Sequence, residues 1–167
     1  IIDPSNGDFF VSSMFGNRIQ VLTGSSGLVT TFVGTGIQGG DGDGGAATAA
    51  TLTYPEGLYR DSNGLIYVGH DAFFKVRVIF SVSPTSSPTL IPTAGPSSVR
   101  GSQWNINTIA GDGTAASTGT GGLATAASFN NPRSAWGDSA GVIYVVERTG
   151  NCIRKFSTSD NIEEVFA

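Results

Sequence analysis

The sequence predicts an all-β protein made of four-stranded antiparallel blades of a β-propeller, with too few blades in this chain to close a ring. Three observations lead there. The chain has 167 residues with 24 Gly, 7 Pro and 13% charged residues, about half the charge of an average soluble domain and little helix-forming material. It repeats itself at a fixed offset. Within each repeat the apolar residues alternate or form short runs bounded by turn residues, the pattern of strands rather than helices.

The repeat appears when Gly34-Thr35-Gly36 is laid on Gly111-Asp112-Gly113. The offset of 77 holds without a gap through Ala47-Thr48-Ala49-Ala50 on Ala124-Thr125-Ala126-Ala127, Pro55 on Pro132, and Asp61-Ser62 on Asp138-Ser139. It continues through Gly64-x-Ile66-Tyr67-Val68 on Gly141-x-Ile143-Tyr144-Val145, with about 16 identities in 35 positions. A partial copy opens the chain, with Gly7-Asp8-Phe9-Phe10-Val11 matching Gly-x-Ile-Tyr-Val and Asn17-Arg18-Ile19 matching Asn151-Cys152-Ile153. Its shorter spacing of 57, from Val11 to Val68, marks residues 81–102 as an insertion in the second unit. The chain therefore divides into residues 1–54, a partial first blade with a Gly-rich connection; 55–131, a second blade with the insertion and the next connection; and 132–167, a third blade.

In the second unit strands are expected at Glu56 to Arg60, Leu65 to His70, Phe73 to Phe80 and Asn105 to Ala110. The turns Asp61-Ser62-Asn63-Gly64 and Asp138-Ser139-Ala140-Gly141 separate the first two strands of their units, and Asn63-Gly64 is a strong hairpin signal. The uninterrupted apolar runs at 65–69 and 142–146 suit strands covered on both faces. Four short antiparallel strands per repeat make a propeller blade.

These residues resemble the NHL-repeat β-propellers. The matching pattern is Ala-x-x-Ala-x-Leu/Phe-x-x-Pro, Asp-x-x-Gly-x-Ile-Tyr-Val, Gly-Asn-x-Ile-Arg and an Ile-x-Thr-Ile-Ala-Gly-x-Gly ending. It is carried by Ala47 to Pro55, Asp61 to Val68 and Trp104 to Gly113 in one unit, and by Ala124 to Pro132, Asp138 to Val145 and Gly150 to Arg154 in the other. Departures are His70 and Ser13 where Glu147 stands in the last unit, and Phe73-Phe74 in place of Gly-Asn. Propellers close with four to eight blades, so either the sequence is a piece of a longer polypeptide or other chains supply the rest.

Chemistry-bearing residues are few. Nine basic and thirteen acidic residues give a net charge of −4, and with Lys75 and Lys155 the only lysines there is no basic stripe for nucleic acid. One Cys and one His exclude an internal disulfide framework and any multi-imidazole zinc site. No signal peptide or membrane-spanning run is visible. Asp41 and Asp43 in the Gly-rich connection are candidate calcium ligands, weakened because the equivalent stretch Ser117 to Thr120 lacks carboxylates; no other cofactor is expected. His70 beside Asp71 would make a general base only with a nucleophile opposite. Arg77 and Arg154 occupy equivalent strand positions and are read as structural. So are the paired aromatics Tyr59 with Trp136 and Tyr67 with Tyr144. Cys152 reads as a small buried or half-buried thiol.

The insertion, rich in Ser, Thr and Pro, resembles O-glycosylated stalk sequence, with Ser83, Thr85, Ser86, Ser87, Thr89, Thr93, Ser97 and Ser98 as candidate acceptors. No Asn-x-Ser/Thr sequon occurs. These features favour a non-enzymatic, extracellular or cell-surface module that interacts with other blades of its own or neighbouring subunits, as a building block of a repetitive or filamentous assembly. Two alternatives stand beside it. One is the scaffold of a propeller lyase or hydrolase whose catalytic residues lie in blades outside this chain. The other is a ligand- or peptide-binding propeller that presents Tyr, Trp and Arg on one rim.

Overall fold

The computed structural model describes residues 1–82, 103–157 and the backbone of 163–165. Among the described residues eleven strands form three antiparallel sheets, a propeller-like all-β arrangement. The first sheet holds β1 (Phe9–Ser13), β2 (Arg18–Leu22) and β3 (Val29–Val33). The second holds β4 (Pro55–Arg60), β5 (Ile66–His70), β6 (Lys75–Val82) and β7 (Gln103–Ala110) in chain order. The third holds β8 (Pro132–Gly137), β9 (Val142–Glu147), β10 (Cys152–Ser157) and β11 (Glu163–Val165). Pro55 and Pro132 each open a strand beside an irregularity in the ladder, a place where a missing N–H costs nothing.

The strands of the second sheet differ from the sequence reading by more than one residue at two places, the start of β6 and the far end of the β6–β7 ladder. Phe73 ends a short 3-10 turn (Asp71–Phe73) instead of opening a strand, and Phe74 follows it with a left-handed φ of 52°. Asn17 and Asn151, the equivalent residues, have φ of 50° and 51°. The hairpin demands this conformation in every sheet, and in the second a bulky residue meets it without the local hydrogen bonding that favours Asn there. The β6–β7 ladder also runs further than expected, pairing Ser81 with Trp104 and Val82 with Gln103. Ser81 and Val82, the first residues of the insertion, therefore extend β6.

Period-two alternation lets the second sheet serve two cores at once. Ile66, Val68, Ile79 and Ile106 face the first sheet, where they meet Phe10, Ile19, Phe32 and Val33. Tyr67, Val76, Val78 and Ala110 face the third, where they meet Ala135, Ile143, Val145 and Phe156. Each core is plugged by the connection that leads into the next sheet: Ala47, Ala50 and Leu52 in one, Ala124, Ala127 and Phe129 in the other. All five residues of β5 are buried, whereas β9 alternates because its outer face has no neighbour among the described residues.

The approach of β8 to β4 and β5 is set by Gly69. A Cβ there would stand 2.5 Å from the Pro132 carbonyl oxygen and 3.0 Å from the Arg133 carbonyl carbon. Val146, its equivalent, is on the open face and 43% exposed. Gly69→Val is expected to destabilise the fold by about 1–3 kcal/mol through overpacking. Val146→Gly, in the reverse sense, should cost about 1 kcal/mol or less. Urea denaturation of the two variants checks this; equal losses would mean that the sheets slide apart freely.

Candidate functional site

Two arginines are fully buried, and their surroundings repeat. Arg154, fully buried on β10, donates through Nη1 to the Ser128 carbonyl at 2.7 Å and through Nη2 to the Thr118 carbonyl at 2.7 Å. Arg77 on β6 donates to the carbonyls of Thr51 (3.0 Å) and Asp41 (3.2 Å), the residues 77 positions earlier. Each guanidinium thus ties the incoming connection to the third strand of its sheet, using the planar fork that suits several acceptors at once. The Arg154 guanidinium also lies 4.8 Å over the Phe129 ring.

The neutralising carboxylate comes from different places. Arg154 pairs at 3.2 Å with Glu147 from β9, whose other oxygen accepts from Ser117 Oγ and the Asn130 amide at 2.7 Å each. Gly150 leaves room for that carboxylate, since a Cβ would lie 2.5 Å from it. Arg77 instead pairs with Asp43 from the connection, at 3.0 Å through Nε and 2.7 Å through Nη2. Thr120 stands at the position equivalent to Asp43, and His70 at that of Glu147. Phe73 replaces Gly150 and packs over Gly40, the equivalent of Ser117. The exchange therefore involves four positions, a polar set in one sheet and an apolar set with a relocated charge in the other.

His70 is left fully buried, with neither ring nitrogen hydrogen-bonded. Burial, then the charges of Arg77 and Lys75, push its pKa down to about 3, so the ring is neutral. The Asp71 carboxylate accepts from Asn131 Nδ2 at 2.6 Å. The general-base pair considered from sequence is therefore not formed.

Asp43 Oδ1 is engaged by Arg77, and a cation at Asp41 and Asp43 would have to compete with that guanidinium. Among the described residues no three His, Cys, Asp or Glu side chains gather as a metal site. Cys152 is half-buried and faces Glu147 across the β9–β10 ladder. The acceptor candidates Ser83, Thr85, Ser86, Ser87, Thr89, Thr93, Ser97 and Ser98 lie outside the described residues.

The remaining repeat positions build one end of the molecule. Asp61 Oδ1 accepts from the amides of Asn63 and Leu65, both at 2.9 Å, and Oδ2 from the Tyr67 hydroxyl at 3.2 Å. Asp138 does the same for Ala140 (2.9 Å), Val142 (3.0 Å) and Tyr144 (3.3 Å). Gly64 and Gly141 close the turns with φ of 85° and 82°. Between the two turns lies a cleft of about 720 Å3, walled by Tyr59, Tyr67 and Trp136 and bordered by both aspartates. Its rings form a ladder, with centroids 5.7 Å apart from Tyr67 to Tyr59, 6.3 Å to Trp136 and 5.6 Å on to Tyr144. Burial, then the nearby Asp61 and Asp138, raise the pKa of Tyr59.

Sequence reasoning missed the ion pairs that cross between elements: Arg77 with Asp43, Arg154 with Glu147, Arg60 on β4 with Asp3 at 3.0 Å, and Arg133 on β8 with Glu56 on β4 at 2.9 Å. The signal for the first two was present as complementary exchanges at 43/120 and 70/147. Nothing local marks the other two.

No family model matches the chain, and no curated protein matches it. Solved structures do. A protein of unknown function from Bacteroides thetaiotaomicron superposes with a TM-score of 0.67 at 20% identity, covering 90% of this chain and 32% of its own. An auxiliary nutrient binding protein of the same organism gives 0.64 at 12% identity, covering 99% and 34%. A third, provisionally described as a phosphatase, gives 0.64 at 20%, covering 93% and 33%. The likeness is one of fold, and the chain spans about a third of the length of these structures.

Proposed function

We propose that the chain is a non-enzymatic segment of an NHL-type β-propeller, working outside the cell or on its surface as a structural and interaction module. One observation supports this most: both terminal sheets present apolar outer faces. On the first, Phe9, Leu22 and Val29 stand in one cross-strand row, all exposed. On the third, Trp136, Tyr144, Val146 and Ile153 line a groove of about 460 Å3. Contiguous apolar faces of this kind are covered in a soluble assembly. Because the two faces differ, each is covered either by a further blade of the same polypeptide or by a copy meeting it head to tail, the arrangement that yields rings or filaments. Val146, standing where the second sheet has Gly69, keeps a partner from docking at the spacing β8 adopts on β5.

The buried charges are spent on holding connections in place, which favours scaffold over catalyst. The Ser/Thr/Pro arm, carrying O-linked glycans, would keep neighbouring surfaces apart or bridge them. Sedimentation velocity tests the reading. The unmodified chain should associate with rising concentration, and Leu22→Lys with Val146→Lys should leave it monomeric. A monomer at every concentration would overturn the assembly, and bare Ser/Thr in residues 83–98 of natively produced protein would overturn the glycosylated arm.

A further inference from the structure

The cleft between the Asp61 and Asp138 turns has a counterpart one sheet earlier, and comparison of the two indicates what the cleft is shaped to hold. Asp3 opens the turn before β1 as Asp61 opens the turn before β5. Its amide donates to the Asp8 carbonyl, its carbonyl accepts from Gly7, and its carboxylate Oδ1 accepts from Ser5 N and Oγ. The Asp61 amide and carbonyl are likewise engaged by Leu65 and Gly64. Between the first and second sheets a cation is present: the Arg60 guanidinium, from the last residue of β4, reaches Asp3 Oδ2 at 3.0 Å.

In the third sheet the residue equivalent to Arg60 is Gly137. A Cβ at Gly137 would stand 2.7 Å from the Tyr59 ring, so the aromatic occupies the space through which a side chain would leave. The second cleft therefore keeps the carboxylates and gains aromatic walls, but no Lys, Arg or His lines it. Trp136 at its edge is 57% exposed. Aromatic faces and carboxylates around an opening of this size select an organic cation, attracted by the ring quadrupoles and by the charge of Asp61 and Asp138.

We infer that this cleft binds an organic ammonium group, which takes the place that the Arg60 guanidinium fills between the preceding sheets. The group comes from a free amine or from a lysine side chain on a polypeptide.

The chain has two tryptophans, so in Trp104→Phe the indole of Trp136 reports alone. Choline and N-acetyl-lysine amide are titrated against 3,3-dimethylbutanol, the neutral isostere of choline. Saturable quenching by the cations with a Kd of about 1–10 mM, and binding at least about tenfold weaker for the alcohol, are expected. The tighter of the two cations identifies the source. Asp61→Asn with Asp138→Asn, which retains the turn acceptors, should weaken cation binding about fivefold or more while the circular dichroism stays unchanged. Should that variant misfold, about 0.5 M NaCl on the Trp104→Phe protein must weaken the cations and spare the alcohol. Equal binding of the alcohol, binding that survives loss of both carboxylates, or no saturable quenching overturns the inference. Because Trp136 also lines the outer groove of the third sheet, the titration is made on Trp104→Phe carrying Leu22→Lys and Val146→Lys, which separates quenching in the cleft from association through the sheet faces.

Discussion

Replacing Glu147 by alanine is expected to lower the free energy of unfolding by about 3–5 kcal/mol, the cost of leaving a buried charge without its partner. Arg154 has no solvent to turn to, and Ser117 and the Asn130 amide lose their acceptor with the same carboxylate. Asp43→Ala removes the equivalent charge from Arg77 but should cost only about 1–2 kcal/mol, because the Asp43 side chain is 40% exposed and water can replace it. The exchange between the two sheets supplies a sharper test. Glu147→His alone should fall near Glu147→Ala. Adding Thr120→Asp, which provides the carboxylate where the second sheet has it, should return at least about 1 kcal/mol in a double-mutant cycle. Chemical denaturation of the four proteins measures the coupling. If it is zero, the two arrangements are not interchangeable solutions to one charge.

That coupling also shows what could be read from the chain alone. The turns at Asp61 and Asp138 were legible because Asn63-Gly64 and the repeated Asp-Ser-x-Gly are local turn signals; that each carboxylate caps amides two and four residues on appears only in the structure. The strands of the second sheet were legible because period two persists over five residues or more. The partner of Arg77 was not, since Asp43 lies 34 positions away in a connection whose glycines gave no hint of direction. Phe74 misled for the opposite reason. Its apolar side chain suggests a strand, while the hairpin, repeated at Asn17 and Asn151, imposes a left-handed backbone on whatever residue is there. The cleft was visible only as two pairs of equivalent aromatics; that Tyr59 meets Trp136 across neighbouring sheets follows from packing, which no single repeat encodes.

The fold should also lose stability in mild acid through one residue. His70 is neutral in the folded state, with its pKa driven to about 3 by burial and by Arg77 and Lys75, whereas the unfolded chain protonates near pH 6.5. Its contribution is complete above pH 6.5 and is lost as pH falls from there towards 3, because only the unfolded state takes up the proton. Once the unfolded histidine is fully charged, the slope approaches about 1.4 kcal/mol per pH unit. Asp3 acts in the same direction but lower down. The hydrogen bonds from Ser5, with help from Arg60, hold its carboxyl below the usual value of 3.8, so its contribution is intact above that value and fades only beneath it. The interval from pH 6.5 to 4.5 therefore isolates the histidine. Urea midpoints across it should fall steadily for the unmodified protein and stay nearly level for His70→Phe, which fills the site without a titrating group. A level profile in the unmodified protein would mean that acid reaches the ring without unfolding, and that the seal between the first and second sheets opens.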